Sequence, residues 1–264
     1  MDGQVQLSFK ALWAWIFAAF FVCFQFLLQS SPSVMIQPLM HDLHLSLTQM
    51  GFVSSSYFYA FIVLQIPAGM LIDRIGPRIV LTLASIIMGA GTAIFISAKG
   101  PMVADAGRMV MGIGAAPAIS GVLYIASKHF PVRYFALLVG LSEMMCMIGG
   151  ASGEFTLAQA VSHVGWHFTL AVCAVLALII ALVFWLVIPK HHSVKHTQLR
   201  QDEGYMAVLI DFLSRINIWY IAIYSGCLFA MFSSFAALWL IPWLQTTAHV
   251  STVWASVGSS CVFI

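Results

Sequence analysis

Long apolar runs separated by short polar gaps dominate this chain. They fall at about 11–36, 47–71, 79–98, 101–127, 134–158, 166–188 and 216–243, with another beginning near 251. Each complete run reaches the roughly 20 residues a helix needs to cross a bilayer, so the pattern predicts an all-α, polytopic membrane fold. Lys10, Arg74, Arg78, Lys128, Arg133, Lys190, Lys195, Arg200 and Arg215 all sit in gaps on one side of the implied topology. Of the 11 basic residues, only Lys99 and Arg108 lie elsewhere. By the positive-inside rule that side is cytoplasmic, and so is the N-terminus. The single Lys before the first run, and the absence of a small-residue cleavage pattern after it, mark an uncleaved first span.

The longest polar stretch, 189–215, divides the first six runs from the rest. The expected organisation is a six-helix bundle over 1–189, a cytoplasmic linker over 190–215 and the start of a second bundle over 216–264. His191, His192 and His196 in the linker read as part of a solvated connector rather than a metal site. The "AVLIDFL" segment reads as a short surface helix. Sliding the chain by 205 residues lays His44–Ser55 on His249–Ser260 and Trp15 on Tyr220. Such duplication is common in transporters. In that register residue 264 corresponds to Tyr59, and a matching second half would continue for roughly 140 to 150 residues. The expectation is therefore a chain truncated in its second half.

Composition agrees with a lipid environment: 61% hydrophobic, 8% charged and a mean hydropathy of +0.98. These values lie well outside those of soluble domains. The net charge of +2 with no basic patch excludes the electrostatic footprint of a nucleic-acid binder. The five cysteines, Cys23, Cys146, Cys173, Cys227 and Cys261, lie in apolar runs without metal-ligand spacing, so no metal or cofactor is expected. No nucleophile–base constellation points to an enzyme.

Between the second and third runs stands Gly69-Met70-Leu71-Ile72-Asp73-Arg74-Ile75-Gly76-Pro77-Arg78. Gly69 would allow close helix approach and Gly76 a tight turn. Asp73 would face a helix N-terminus or a basic side chain. These residues resemble the G-x-L-x-D-R-x-G-x-R loop of the major facilitator superfamily. A second element, Arg108 to Ala116 with Gly112 and Gly114, resembles that family's R-x-x-x-G-x-G motif. The loop with Pro131, Arg133 and Ala136 also fits. The fifth run departs from the family pattern, with Gly149, Gly150 and Gly153 but no proline. The first loop of the family is expected to gate the cytoplasmic side by holding one state closed, here through Gly69, Asp73, Arg74, Gly76 and Arg78.

Within the runs, Glu143 is the most informative ionisable residue. Counted from a cytoplasmic start near 134, it lies roughly 14 Å deep, near the midplane. A carboxyl there is either a proton-coupling or substrate group, or a hydrogen-bonded structural acid. Glu154 and Arg108 each fall about 30 Å up, so they are expected to meet as a pair. Arg108 otherwise reads as snorkelling to the outer interface. The family resemblance implies that the first, fourth and seventh helices line a central cavity, making Gln25, Gln29, Ser120, Tyr124, Tyr224 and Ser225 substrate-contact candidates. Gln25 and Gln29 share the first run with Ser30 and Ser31, and Tyr224 and Ser225 share the seventh with Ser233 and Ser234. Tyr57, Tyr59 and Gln65 on the second run read as packing residues.

The "FQFLLQSSPSVM", "HDLHLS" and "YFYAFIVLQIPAGMLIDRIGPR" segments resemble the phagosomal-transporter branch of the superfamily, found in intracellular bacteria. That resemblance implies proton-coupled uptake of an amino acid or nucleoside by alternating access at the inner membrane. The partners would be a small solute, protons, the bilayer and a missing or separate C-terminal half; the energy source would be the proton gradient. The competing expectation is a half-size membrane protein that senses or binds rather than transports.

Overall fold

A computed structural model describes residues 9–189, 211, 213–231, 234–235, 239–248 and 250–260. The helices are α1 (Phe9–Asp42), α2 (Leu47–Ile75), α3 (Pro77–Ile96), α4 (Pro101–Ala115), α5 (Pro117–His129), α6 (Val132–Val187), α7 (Ile216–Met231), α8 (Leu240–Ala248) and α9 (Thr252–Ser260). No strand occurs among the described residues. Nearly all of the 190–215 linker, its three histidines included, lies outside the described residues.

Boundaries follow local chemistry. Ser46 caps α2 through its hydroxyl on the Gln49 N–H, while the Gln49 side chain returns to the Ser46 N–H at 2.9 Å, a reciprocal capping box. Gly76 separates α2 from α3 at φ 85°, ψ 159°, a region that essentially only glycine enters. Pro77 then starts α3 with its φ already helical. The turn expected at Gly76 is therefore present.

One run carries an interruption the pattern did not show, and two others meet at a sharp turn. The fourth is interrupted, α4 ending at Ala115 and α5 starting at Pro117, because Pro117 has no N–H for the carbonyl four residues earlier. The fifth and sixth runs form the two limbs of α6, separated at Gly165, where φ is 80°, in keeping with the gap between those runs. Gly149 lies against Cys23 while Phe184 meets Phe21 edge-on at 5.4 Å. In a straight helix those two contacts would stand about 50 Å apart. Residues 132–164 and 166–187 are thus two antiparallel limbs, and each is long enough to span.

Close packing builds the bundle from small residues, as expected where lipid offers no hydrophobic drive between helices. A Cβ on Gly112 would sit 2.2 Å from the Tyr57 carbonyl, and one on Gly149 would sit 2.2 Å from the Cys23 carbonyl. The glycines of the fifth run therefore seat the first limb of α6 on α1 without the family's proline. Gly69 is different: only Ser120 Oγ, at 3.8 Å, is near, so its surroundings are roomy rather than tight.

Beyond the linker, α7 buries no residue. By contrast, α9 packs on α6 and α8 and buries Ala255, Ser256 and Ser259. The 205-residue register holds locally: Leu47 and Thr252 begin helices, each after a serine whose carbonyl accepts at 2.9 Å, from Met50 N–H and Ala255 N–H respectively.

Candidate functional site

The centre of the bundle is organised by a proline. Pro32 lies inside α1 and offers no N–H to the Leu28 carbonyl. That oxygen instead accepts from the Ser31 hydroxyl at 2.8 Å and from Arg108 Nη1 at 3.0 Å. Arg108 Nη2 donates to the next carbonyl, Gln29 O, at 3.2 Å. One guanidinium from α4 thus spans two backbone oxygens of α1 one turn before Pro32. Its charge also lies 4.7 Å over the Tyr57 ring, a cation–π contact that gains strength away from water. Gly112, one turn along α4, lets Tyr57 come this close.

Tyr57 links the arginine to a buried amide pair. Gln25 Nε2 donates to the Tyr57 hydroxyl oxygen and to Gln29 Oε1, each at 2.8 Å. Gln25 Oε1 and Arg108 Nε have no hydrogen-bond partner although both are buried. Arg108 is 1% exposed, so it does not snorkel. Gln25 and Gln29 are likewise buried inside this network, not turned to an open cavity.

The expected Arg108–Glu154 pair does not form among the described residues. The equal depth is right: Gly153 lies against Leu27, and Arg108 binds Leu28 and Gln29. Helix α1, however, runs between the two, with Arg108 reaching it from α4 and Glu154 lying on α6. Glu154 is 0% exposed, and neither carboxyl oxygen has a hydrogen-bond partner among the described residues. Glu143 is exposed. It lies on the same face as Glu154, three helical turns or about 16 Å away.

At the basic end of the bundle, Asp73 is exposed and acts electrostatically on Tyr124 of α5. Lys128 Nζ stands 5.9 Å over the Tyr124 ring. No ion pair involves Asp73 among the described residues. Arg78 turns away, its guanidinium 4.4 Å over Trp185 of the second limb. Ser120 is half-buried beside Gly69. At the opposite end, Trp166 Nε1 donates to Asp42 Oδ2 at 2.8 Å, tying the Gly165 turn to α1. Tyr224 and Ser225 on α7 are exposed, Tyr224 at 69%. Ser233 lies outside the described residues and Ser234 is exposed.

Sequence reasoning missed two members of the site. Pro32 was the visible signal for a carbonyl in α1 left without its helical N–H. Tyr57, taken as a packing residue, is the link between Arg108 and the glutamines; Gly112 was its only hint. A third contact, Ser56 Oγ donating to Asp105 Oδ1 at 2.9 Å, joins α2 to α4 and also went unread.

Apolar helices of membrane-spanning length, packed around a cation held on the backbone of α1, mark a polytopic membrane protein. The chain belongs to the Major Facilitator Superfamily, whose family model matches residues 15–264. It is 26% identical over 167 residues to the probable sulfoacetate transporter of Cupriavidus necator, covering 62% of this chain and 39% of that protein. It is 28% identical over 156 residues to the galacturonate transporter of Dickeya chrysanthemi, covering 58% and 44%. With the probable L-galactonate transporter of Escherichia coli the identity is 26% over 209 residues, covering 76% and 45%. The chain thus spans roughly two fifths of the length of these relatives. Among solved structures, a bacterial homologue of the human lysosomal transporter Spinster, inward-facing and unoccupied, superposes with a TM-score of 0.78 at 17% identity, covering 97% of this chain and 60% of that one. The D-xylose–proton symporter gives 0.70 at 16% identity, covering 96% and 65%. These likenesses establish the fold. The relatives are transporters, not enzymes.

Proposed function

We propose that this bundle serves secondary active transport of a small polar metabolite bearing a carboxylate, coupled to protons, by alternating access. The observation that carries the reading is the junction at Pro32, where Arg108 binds two carbonyls of α1, one of them left without its helical N–H by the proline. A proline-containing membrane helix joined to a neighbour through an ionisable side chain can bend without exposing bare backbone to lipid. The substrate class draws on two supports. The relatives named above carry organic acids in their names, and the sequence resemblance points to amino acids or nucleosides. Acids and amino acids share the carboxylate. The asymmetry of Lys and Arg supports an inner-membrane protein with the N-terminus and the Asp73 loop in the cytoplasm. Glu143, exposed on the face that carries Glu154, is the proposed proton carrier.

The test is uptake of labelled galacturonate, amino acids and nucleosides into proteoliposomes carrying the protein, with an imposed pH gradient. Saturable, gradient-stimulated uptake of a carboxylate solute is expected. Glu143→Gln, isosteric with the protonated acid, should lose gradient-driven uptake and keep exchange. Uptake of nucleosides alone would overturn the substrate class, and normal uphill uptake by the variant would remove Glu143 as the carrier.

A further inference from the structure

The first limb of α6 and helix α9 enclose a carboxyl group that nothing neutralises. Glu154 is wholly buried, and neither oxygen has a hydrogen-bond partner among the described residues. On one side stands α1, with Leu27 against Gly153. On the other stands α9, whose Ser259 lies beside the carboxyl. The described part of α9 carries no titratable side chain. On α1 the nearest titratable group along the chain is Cys23, one turn before Leu27. Arg108 is occupied on the far side of α1 by the Leu28 and Gln29 carbonyls. Along α6 itself, Cys146 and Glu143 lie two and three turns toward the basic end, and His163 lies more than two turns the other way. None forms an ion pair with Glu154 among the described residues.

A lone carboxylate in such a place is costly, because desolvation is not offset by a partner. A metal ion would need several oxygen ligands, and no cluster of three acidic, histidine or cysteine groups exists among the described residues. A proton needs none. We propose that Glu154 is a proton-binding latch: the contact between α6 and α9 closes when Glu154 takes up a proton and opens when it releases it. In sequence α9 lies beyond residues 190–215, so this contact is a junction between the first bundle and the segment that follows it. The proposal rests on the transporter reading, to which it adds the site where protons act on the junction.

The sign follows directly. Closure requires the neutral acid, so the junction is closed at low pH and opens as pH rises. The experiment places a reporter thiol at Ser256→Cys, on the buried side of α9, in a background whose other cysteines are replaced. Maleimide labelling of the protein in nanodiscs is then followed from pH 5 to pH 8.5. With Glu154 present, labelling relative to a Glu154→Gln background should rise by up to about tenfold per pH unit through the transition. Glu154→Gln should stay slowly labelled throughout. Glu154→Met, which keeps a side chain of similar size without charge, should match it and guards against a polar artefact of the glutamine. Equal pH dependence in the Glu154 and Gln backgrounds would overturn the proposal, as would labelling controlled by sodium at fixed pH. Labelling does not require transport: if no solute is carried but the Glu154-dependent response persists, only the transport reading fails.

Discussion

Replacing Arg108 with methionine isolates the Pro32 junction. The variant keeps a long unbranched side chain but removes both donors, leaving Gln29 O without Nη2 at 3.2 Å and Leu28 O with only the Ser31 hydroxyl at 2.8 Å. Each hydrogen bond to a charged donor is worth about 1.5–3 kcal/mol in soluble proteins, and pairs within membranes average nearer ~0.6 kcal/mol. The cation–π contact at 4.7 Å adds about 1–2 kcal/mol in a desolvated setting. Relief of the buried guanidinium offsets part of the loss. A net destabilisation of about 2 kcal/mol is expected, which for a chain of this size lowers Tm by roughly 4–8 °C. Arg108→Lys should fall between, because an ammonium cannot span two carbonyls as a planar fork does. Thermal unfolding in detergent, followed by tryptophan fluorescence or thiol accessibility, reads the effect. If Arg108→Met melts with the parent, or if Arg108→Lys is the worse of the two, the fork does not hold α1.

Three further outcomes follow from geometry. Gly112→Ala places a methyl group 2.2 Å from the Tyr57 carbonyl, forcing α2 and α4 apart at a cost of about 1–3 kcal/mol; a lower Tm in the same assay checks it. Gly76→Ala holds a side chain at φ 85°, ψ 159°, costing about 1–3 kcal/mol, visible as reduced yield of folded protein by size-exclusion chromatography. Asp73→Asn leaves this exposed position packed as before but removes a charge at the α2–α5 end. Transport should fall much further than expression, and wild-type rates would reduce the loop to a topology signal.

What the sequence made legible was set by periodicity and by charge. Apolar runs and basic gaps fixed the spans up to the linker because desolvation of backbone and of Lys and Arg dominates in lipid. The Gly76 turn was readable because only glycine enters that conformation. Depth arithmetic placed Arg108 and Glu154 at one level, yet it carries no information on azimuth, and the two residues fall on opposite sides of α1. The expected pair failed for that reason. The turn between the fifth and sixth runs was readable from the gap between them, but its place at Gly165 was not, because a positive-φ glycine leaves hydropathy unchanged. The role of Tyr57 was hidden because an aromatic at helical spacing looks the same whether it fills space or carries a cation on its face.

Solute counterflow bears most directly on the central claim that this bundle serves a carrier with alternating access. Proteoliposomes carrying the protein are loaded with unlabelled carboxylate solute, diluted, and offered a trace of the labelled form. A carrier exchanges one face at a time, so labelled solute should accumulate transiently above its external concentration and then decay. Label that merely equilibrates at the rate of empty liposomes, for every acid and amino acid offered, would contradict the account.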